Sequence, residues 1–193
     1  MAEIKLKRNQ SQERMDQCYR EGYYDYLGSV EFHNSFLWQI AEIISEIGDS
    51  VFDVGCGEAW LCDCLGSVDP VVQYKGIECS EVAVQKAIVR GCLPQEVSCQ
   101  RFEEYSTHDV HDVVVFGGIL HVLVEPESHI DLIEKYIELC DPSHVIIYDL
   151  ARFDTTHLKD RWFMDRALSF EDTADVQGLQ EVKKKRKVEV YNV

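Results

Sequence analysis

The stretch Val51-Phe52-Asp53-Val54-Gly55-Cys56-Gly57-Glu58-Ala59-Trp60 constrains the fold more than any other. An apolar run enters an acidic residue and two glycines spaced G-x-G, and a helical pattern starts at once with Trp60, Leu61 and Leu65. Strand, tight turn and helix in that order leave bare backbone against which a ligand can sit. Glycine at 55 and 57 permits backbone shapes and close approaches that a side chain obstructs.

The flanking sequence repeats this unit. A helix is expected from Glu13 to Leu27, interrupted at Gly22, and a stronger one from Ser35 to Ile47, with Phe36, Ile40, Ile43, Ile44 and Ile47 on one face. Tyr74 to Glu78 reads as a second strand, and Ser80 caps the helix that follows. Val97 to Phe102 is a weaker strand. Asp112 to Phe116 and Val145 to Asp149 are apolar runs of the kind buried on both faces of a parallel sheet, separated by a helix over Pro126 to Leu139. Thr156 to Ala167 is expected to be helical, and Leu179 to Val193 a two-stranded ribbon ending in Lys187 to Tyr191. Four strand-to-helix units in succession predict a doubly wound α/β domain.

With 193 residues, 46% of them hydrophobic, the chain suits one core. Its formal net charge of -16 disfavours nucleic acid as a partner. The basic run Lys183 to Lys187 is read as a solvated hairpin within an acidic chain rather than a recognition patch. No run approaches the roughly 18 apolar residues of a membrane span, so a non-membrane protein is expected. Eight cysteines lack zinc spacing and no secretory signal is visible, which predicts no metal and a reduced, cytoplasmic setting.

Asp53-Val54-Gly55-Cys56-Gly57, then Glu78, then Asp112 to Phe116 with Gly118-Ile119-Leu120-His121 after it, together resemble a class I S-adenosylmethionine-dependent methyltransferase. The resemblance implies a Rossmann-like three-layer sandwich with a mostly parallel seven-stranded sheet, order 3-2-1-4-5-7-6, last strand antiparallel. It further implies S-adenosyl-L-methionine as cofactor, with Asp53, Gly55, Cys56 and Gly57 around its methionine part and Glu78 accepting from its ribose hydroxyls. Gly118 and Leu120 align with the segment facing cofactor and substrate. Residues 1-34 are expected to cover the site and 35-193 to form the catalytic domain.

The chain departs from the family at Ala59, where a third glycine is usual, and near the adenine, where the acidic residue is missing. Gln100, Arg101, Phe102 and Glu103 occupy that region, Phe102 being placed either to stack or to join the core. A nicotinamide cofactor is disfavoured because Trp60 stands where G-x-G-x-x-G needs its last glycine. Methyl transfer to a protonated O or N profits from a base, for which His121 and His33 are candidates. Tyr19, Tyr23, Tyr24, Arg152 and Trp162 are candidate substrate contacts. The reading is therefore a methyltransferase acting on a small molecule as monomer or homodimer. Alternatives are an inactive methyltransferase-like interaction domain and an RNA or protein methyltransferase.

Overall fold

A computed structural model describes residues 11–25, 36–120, 123, 126–150, 154–159, 162–174 and 182–193. Seven strands run in chain order as β1 (Ser50–Val54), β2 (Gln73–Glu78), β3 (Val97–Cys99), β4 (Val113–Gly117), β5 (His144–Leu150), β6 (Phe163–Ala174) and β7 (Val182–Asn192). They form one sheet in the order β3-β2-β1-β4-β5-β7-β6. The five strands from β3 to β5 pair in parallel, and β7 lies antiparallel to both β5 and β6. This is the class I methyltransferase sheet that the motifs implied.

Six helices are described: α1 (Gln12–Arg20), α2 (Trp38–Ile47), α3 (Trp60–Val68), α4 (Glu81–Arg90), α5 (Pro126–Cys140) and α6 (Thr156–Lys159). Adjacent strand residues point to opposite faces of a sheet, and both faces are covered here, so β4 is apolar from Val113 to Phe116 and β1 carries Asp53 as its one buried polar side chain. Val51, Val113, Val115, Ile146, Val188 and Val190 meet α2, α3 and α4 in one core. Their neighbours Phe52, Val114, Phe116, Val145, Ile147 and Tyr191 meet α5 in the other.

Several boundaries differ from expectation. α1 ends at Arg20 because Gly22, at φ 72, turns the chain. β3 stops at Cys99, and Phe102 lies in the turn beyond it. Of the helix expected over Thr156 to Ala167, only α6 is helical among the described residues, and Phe163–Ala174 is instead the edge strand. Met, Ala, Leu and Arg give that stretch fair helix propensity, but pairing with β7 overrides it. The basic run Lys183 to Lys187 accordingly lies within β7, not in a turn. In register, Lys185 stands opposite Glu171 and Lys184 opposite Asp172.

Candidate active site

The tips of β1 and β2 are locked together. Gly55 and Cys56 both donate their backbone N–H to the carbonyl of Ile77, at 2.9 and 3.0 Å. Beyond them the backbone turns left-handed at alternate residues, with φ of 73° at Gly55, 58° at Gly57 and 56° at Ala59. The unusual member is Ala59, where a shape that glycine adopts freely costs roughly 1–2 kcal/mol. Its place in the family pattern is thus a conformational demand as much as a packing one. α3 begins immediately after it, without a side-chain cap.

Glu78 closes the turn from β2. Its Oε2 accepts from the Gly57 N–H at 3.0 Å, and its Oε1 accepts from the Ser80 N–H at 2.9 Å and the Cys79 thiol at 3.2 Å. Burial pushes this carboxyl above its ordinary range while the backbone and thiol donors pull it back. Asp53 is more deeply placed. Tyr74 donates its hydroxyl to Asp53 Oδ2 at 2.9 Å, and Oδ1 has no hydrogen-bond partner among the described residues. Burial raises its pKa to about 7, the Tyr74 hydrogen bond opposing and the nearby Glu78 charge adding to the rise.

α1 covers this turn. Asp16 Oδ1 accepts from Ser80 Oγ at 2.7 Å and from the Val82 N–H at 3.2 Å, so a carboxylate seats α1 on the N-terminus of α4. One turn later, Tyr19 is buried with its hydroxyl oxygen 2.8 Å from where a β-carbon on Gly57 would stand. Its carbonyl accepts from Lys86 Nζ at 3.0 Å, and the same ammonium pairs with Glu58 at 2.9 Å. Tyr24 packs on Tyr19 with ring centroids 4.8 Å apart, and Tyr23 packs edge-on against Tyr24 while remaining 56% exposed.

The tip of β4 supplies the third wall. Gly118, at φ 65, donates its N–H to the Tyr148 carbonyl at 2.8 Å, and a β-carbon there would meet open space. Ile119 rests on Gly55. Leu120 is fully buried in the second core, which leaves only its backbone for a ligand. Phe102 packs against the same core, and its carbonyl accepts from the Tyr136 hydroxyl at 2.9 Å. Trp162 also packs against that core. His33, His121 and Arg152 lie outside the described residues.

The structure thus brings Asp53, Gly55, Cys56, Gly57, Glu78 and Tyr19 together, with Gly118 across the β1–β4 boundary. Sequence reasoning missed Tyr74 and Asp16. Tyr74 carried only a strand signal, and nothing local tied Asp16 to a helix far along the chain. Trp60, weighed there as bulk over the loop, stacks under the Arg90 guanidinium at 3.4 Å from its ring centroid. A cleft of about 770 Å³ opens beside that pair and α1, but none of Asp53, Gly57, Glu78 or Gly118 lines it. The backbone donors, the buried carboxylates and the strand tips lie at the other place.

Residues 35–135 match the family model described as "Methionine biosynthesis protein MetW". No curated protein matches. Among solved structures, the N-methyltransferase NodS from Bradyrhizobium japonicum WM9, in complex with S-adenosyl-L-homocysteine, superposes with a TM-score of 0.67 at 11% identity, over 92% of this chain and 97% of that one. Magnesium protoporphyrin IX methyltransferase (ChlM) from Synechocystis PCC 6803, with bound S-adenosylmethionine, gives 0.67 at 12% identity, over 94% and 95%. The methyltransferase domain of bacterial CtHen1-CN gives 0.60 at 13% identity, over 81% and 97%. At such identities these likenesses speak for the fold.

Proposed function

The chain belongs to the MetW family, and from that premise we propose that it is an S-adenosylmethionine-dependent methyltransferase whose acceptor is the O or N of a small molecule. The observation that carries this reading is the Glu78 carboxylate, fixed at the tip of β2 against the Gly57 N–H. A carboxylate offers about four acceptor positions. Backbone N–H groups of Gly57, Cys79 and Ser80 orient the Glu78 carboxylate, and the Cys79 thiol is the weak donor that a ribose hydroxyl would replace. A carboxylate so fixed at a strand tip fits the vicinal hydroxyls of a ribose.

The rest of the site fits the same cofactor. Asp53 Oδ1 is a buried acceptor without a donor among the described residues, and the space at Gly118 admits a ligand between β1 and β4. Bound S-adenosylmethionine supplies an electrophilic methyl group on a sulfonium. What the chain contributes is position: the glycine turn lets backbone approach, Glu78 fixes the ribose edge, and Tyr19 on α1 closes over Gly57. Residues 1-34, described over 11–25, act in this reading as the cover, with Tyr23 and Tyr24 among the acceptor contacts. Arg152 and Trp162 are further acceptor contacts in the same reading, and His121 or His33 takes the acceptor's proton.

A small acceptor accords with the net charge of -16, which repels a phosphate backbone. It also accords with magnesium protoporphyrin IX, the compound after which one structural neighbour is named. Among the described residues no helix is long and apolar enough to cross a membrane. Eight cysteines, none of them in a disulfide, accord with a cytoplasmic setting. Calorimetric titration with S-adenosylmethionine or S-adenosylhomocysteine tests the proposal. Micromolar binding is expected, weakened at least several-fold in Glu78→Ala. Absence of binding overturns the enzyme reading, and an unchanged affinity in the variant overturns the ribose assignment.

A further inference from the structure

Away from this site, three potential metal ligands converge from segments far apart in sequence. The left-handed residue Ala59 starts α3 abruptly and places Cys62 in its first turn, half-buried. α4 ends at Gly91, whose φ of 133° reverses the chain, and both Gly91 and Cys92 return their N–H groups to the Ala87 carbonyl. This folds Cys92 back into the core formed with α3, where it is 5% exposed. The chain then makes a tight turn in which the Glu96 N–H donates to the Leu93 carbonyl at 2.9 Å and the Leu93 N–H donates to Glu96 Oε2 at 2.6 Å. The turn holds the Glu96 carboxylate over the two sulfurs.

Cys62 Sγ, Cys92 Sγ and a carboxylate oxygen of Glu96 all lie within 4.8 Å of one another. In a tetrahedral zinc site, with sulfur at about 2.3 Å, neighbouring sulfurs stand about 3.8 Å apart. Small side-chain rotations therefore suffice for all three donors to reach one ion. Two sulfurs with one oxygen select a thiophilic cation over calcium or magnesium, which take oxygen ligands alone. Cys62 and Glu96 are only partly buried, so an ion has a way in and a water can complete its shell.

We propose that Cys62, Cys92 and Glu96 form a binding site for a thiophilic divalent cation of the zinc class. Bound there, the ion joins the first turn of α3 to the connection between α4 and β3, the two segments that follow the glycine turn and Glu78. The site is independent of the methyl-transfer reading. Two local features hid it in the sequence: no C-x-x-C spacing is present, and Cys92 arrives only through the reversal at Gly91.

Titration of the reduced, metal-free protein with cobalt(II) reads the site directly. One equivalent is expected to produce sulfur-to-metal charge-transfer absorption with the visible bands of a four-coordinate ion, and zinc is expected to displace it. Cys62→Ser and Cys92→Ser should each weaken binding by at least about tenfold, Glu96→Gln should weaken it while leaving the sulfur band, and Cys99→Ser, exposed and elsewhere, should change nothing. Zinc should raise the melting temperature of the parent protein and fail to raise that of Cys92→Ser. Ions captured by unfolded cysteines act in the opposite direction, so a rise requires the native site. Glu96→Gln keeps every thiol and serves as the test if a cysteine variant does not fold. The proposal is overturned if the reduced protein binds no cobalt, if the charge-transfer band survives intact in both serine variants, or if zinc lowers the melting temperature of the parent.

Discussion

Asp53 is a carboxyl placed where its ionised form is poorly supported. It is almost wholly inaccessible, one oxygen is held by Tyr74, and Glu78 stands close by. Unfolded, it titrates near 3.8; folded, at about 7. The native state thus holds the proton more tightly, and the stability this confers is fully present below about pH 4 and lost as the pH rises through about 7. A rise from 3.8 to about 7 is equivalent to about 4 kcal/mol. Urea unfolding of the parent and Asp53→Asn from about pH 4 to 8 measures it. The stability of the parent relative to the variant should fall by a few kcal/mol across that interval, whereas parallel curves would mean that Asp53 ionises in the ordinary range. At this scale the sequence was partly legible. Glycines before a helix announced the turn, and Glu78 stood at a strand end. The left-handed Ala59 was not, because alanine carries no sign of the backbone it occupies, and Tyr74 reached Asp53 only through the pairing of β1 with β2.

Among the elements, α1 attaches mainly to one neighbour, the start of α4. Asp16 contributes the charged part of that attachment, accepting from Ser80 and Val82 at the start of α4, with Tyr19 and the Lys86 contact one turn on. Replacing Asp16 with Ala removes a carboxylate from a helix N-terminus and should cost about 1 kcal/mol, felt mainly by α1 rather than by the sheet. Hydrogen exchange should show faster exchange in Gln12–Arg20 and at Val82, with β1 and β4 unchanged. Unaltered exchange in α1 would place its anchorage in Tyr19 and Lys86. Strands and helices with strong patterns were readable: Ser80 caps α4 as its position suggested, its hydroxyl accepting from the Ala83 N–H at 3.2 Å while donating to Asp16. Phe163–Ala174 was not, since an edge strand takes its conformation from its partner and its own sequence favours a helix.

The whole molecule depends on a strand that comes last among the seven and sits second from the edge. β7 pairs with β5 from Arg186 to Asn192 and with β6 along its full length. Val188 and Val190 enter one core and Tyr191 the other, all 1% exposed or less. The strand order itself was implied by resemblance, because local patterns show which segments are strands and not which strands are neighbours. The acceptor was less legible still: a substrate pocket is made by side chains that the fold alone brings together, and no spacing encodes it. The sheet, by contrast, yields a firm expectation. Loss of residues 182–193 leaves β6 without a partner and opens the edge of β5, whose apolar residues face both cores. Such an edge invites pairing between chains. The shortened protein should lose near-ultraviolet dichroism and cooperative urea unfolding and should aggregate, whereas removing only the exposed Asn192 and Val193 should preserve both signals. A cooperative transition in the shorter chain would show that the five parallel strands close a core without β7, making the final ribbon an addition to the fold rather than part of it.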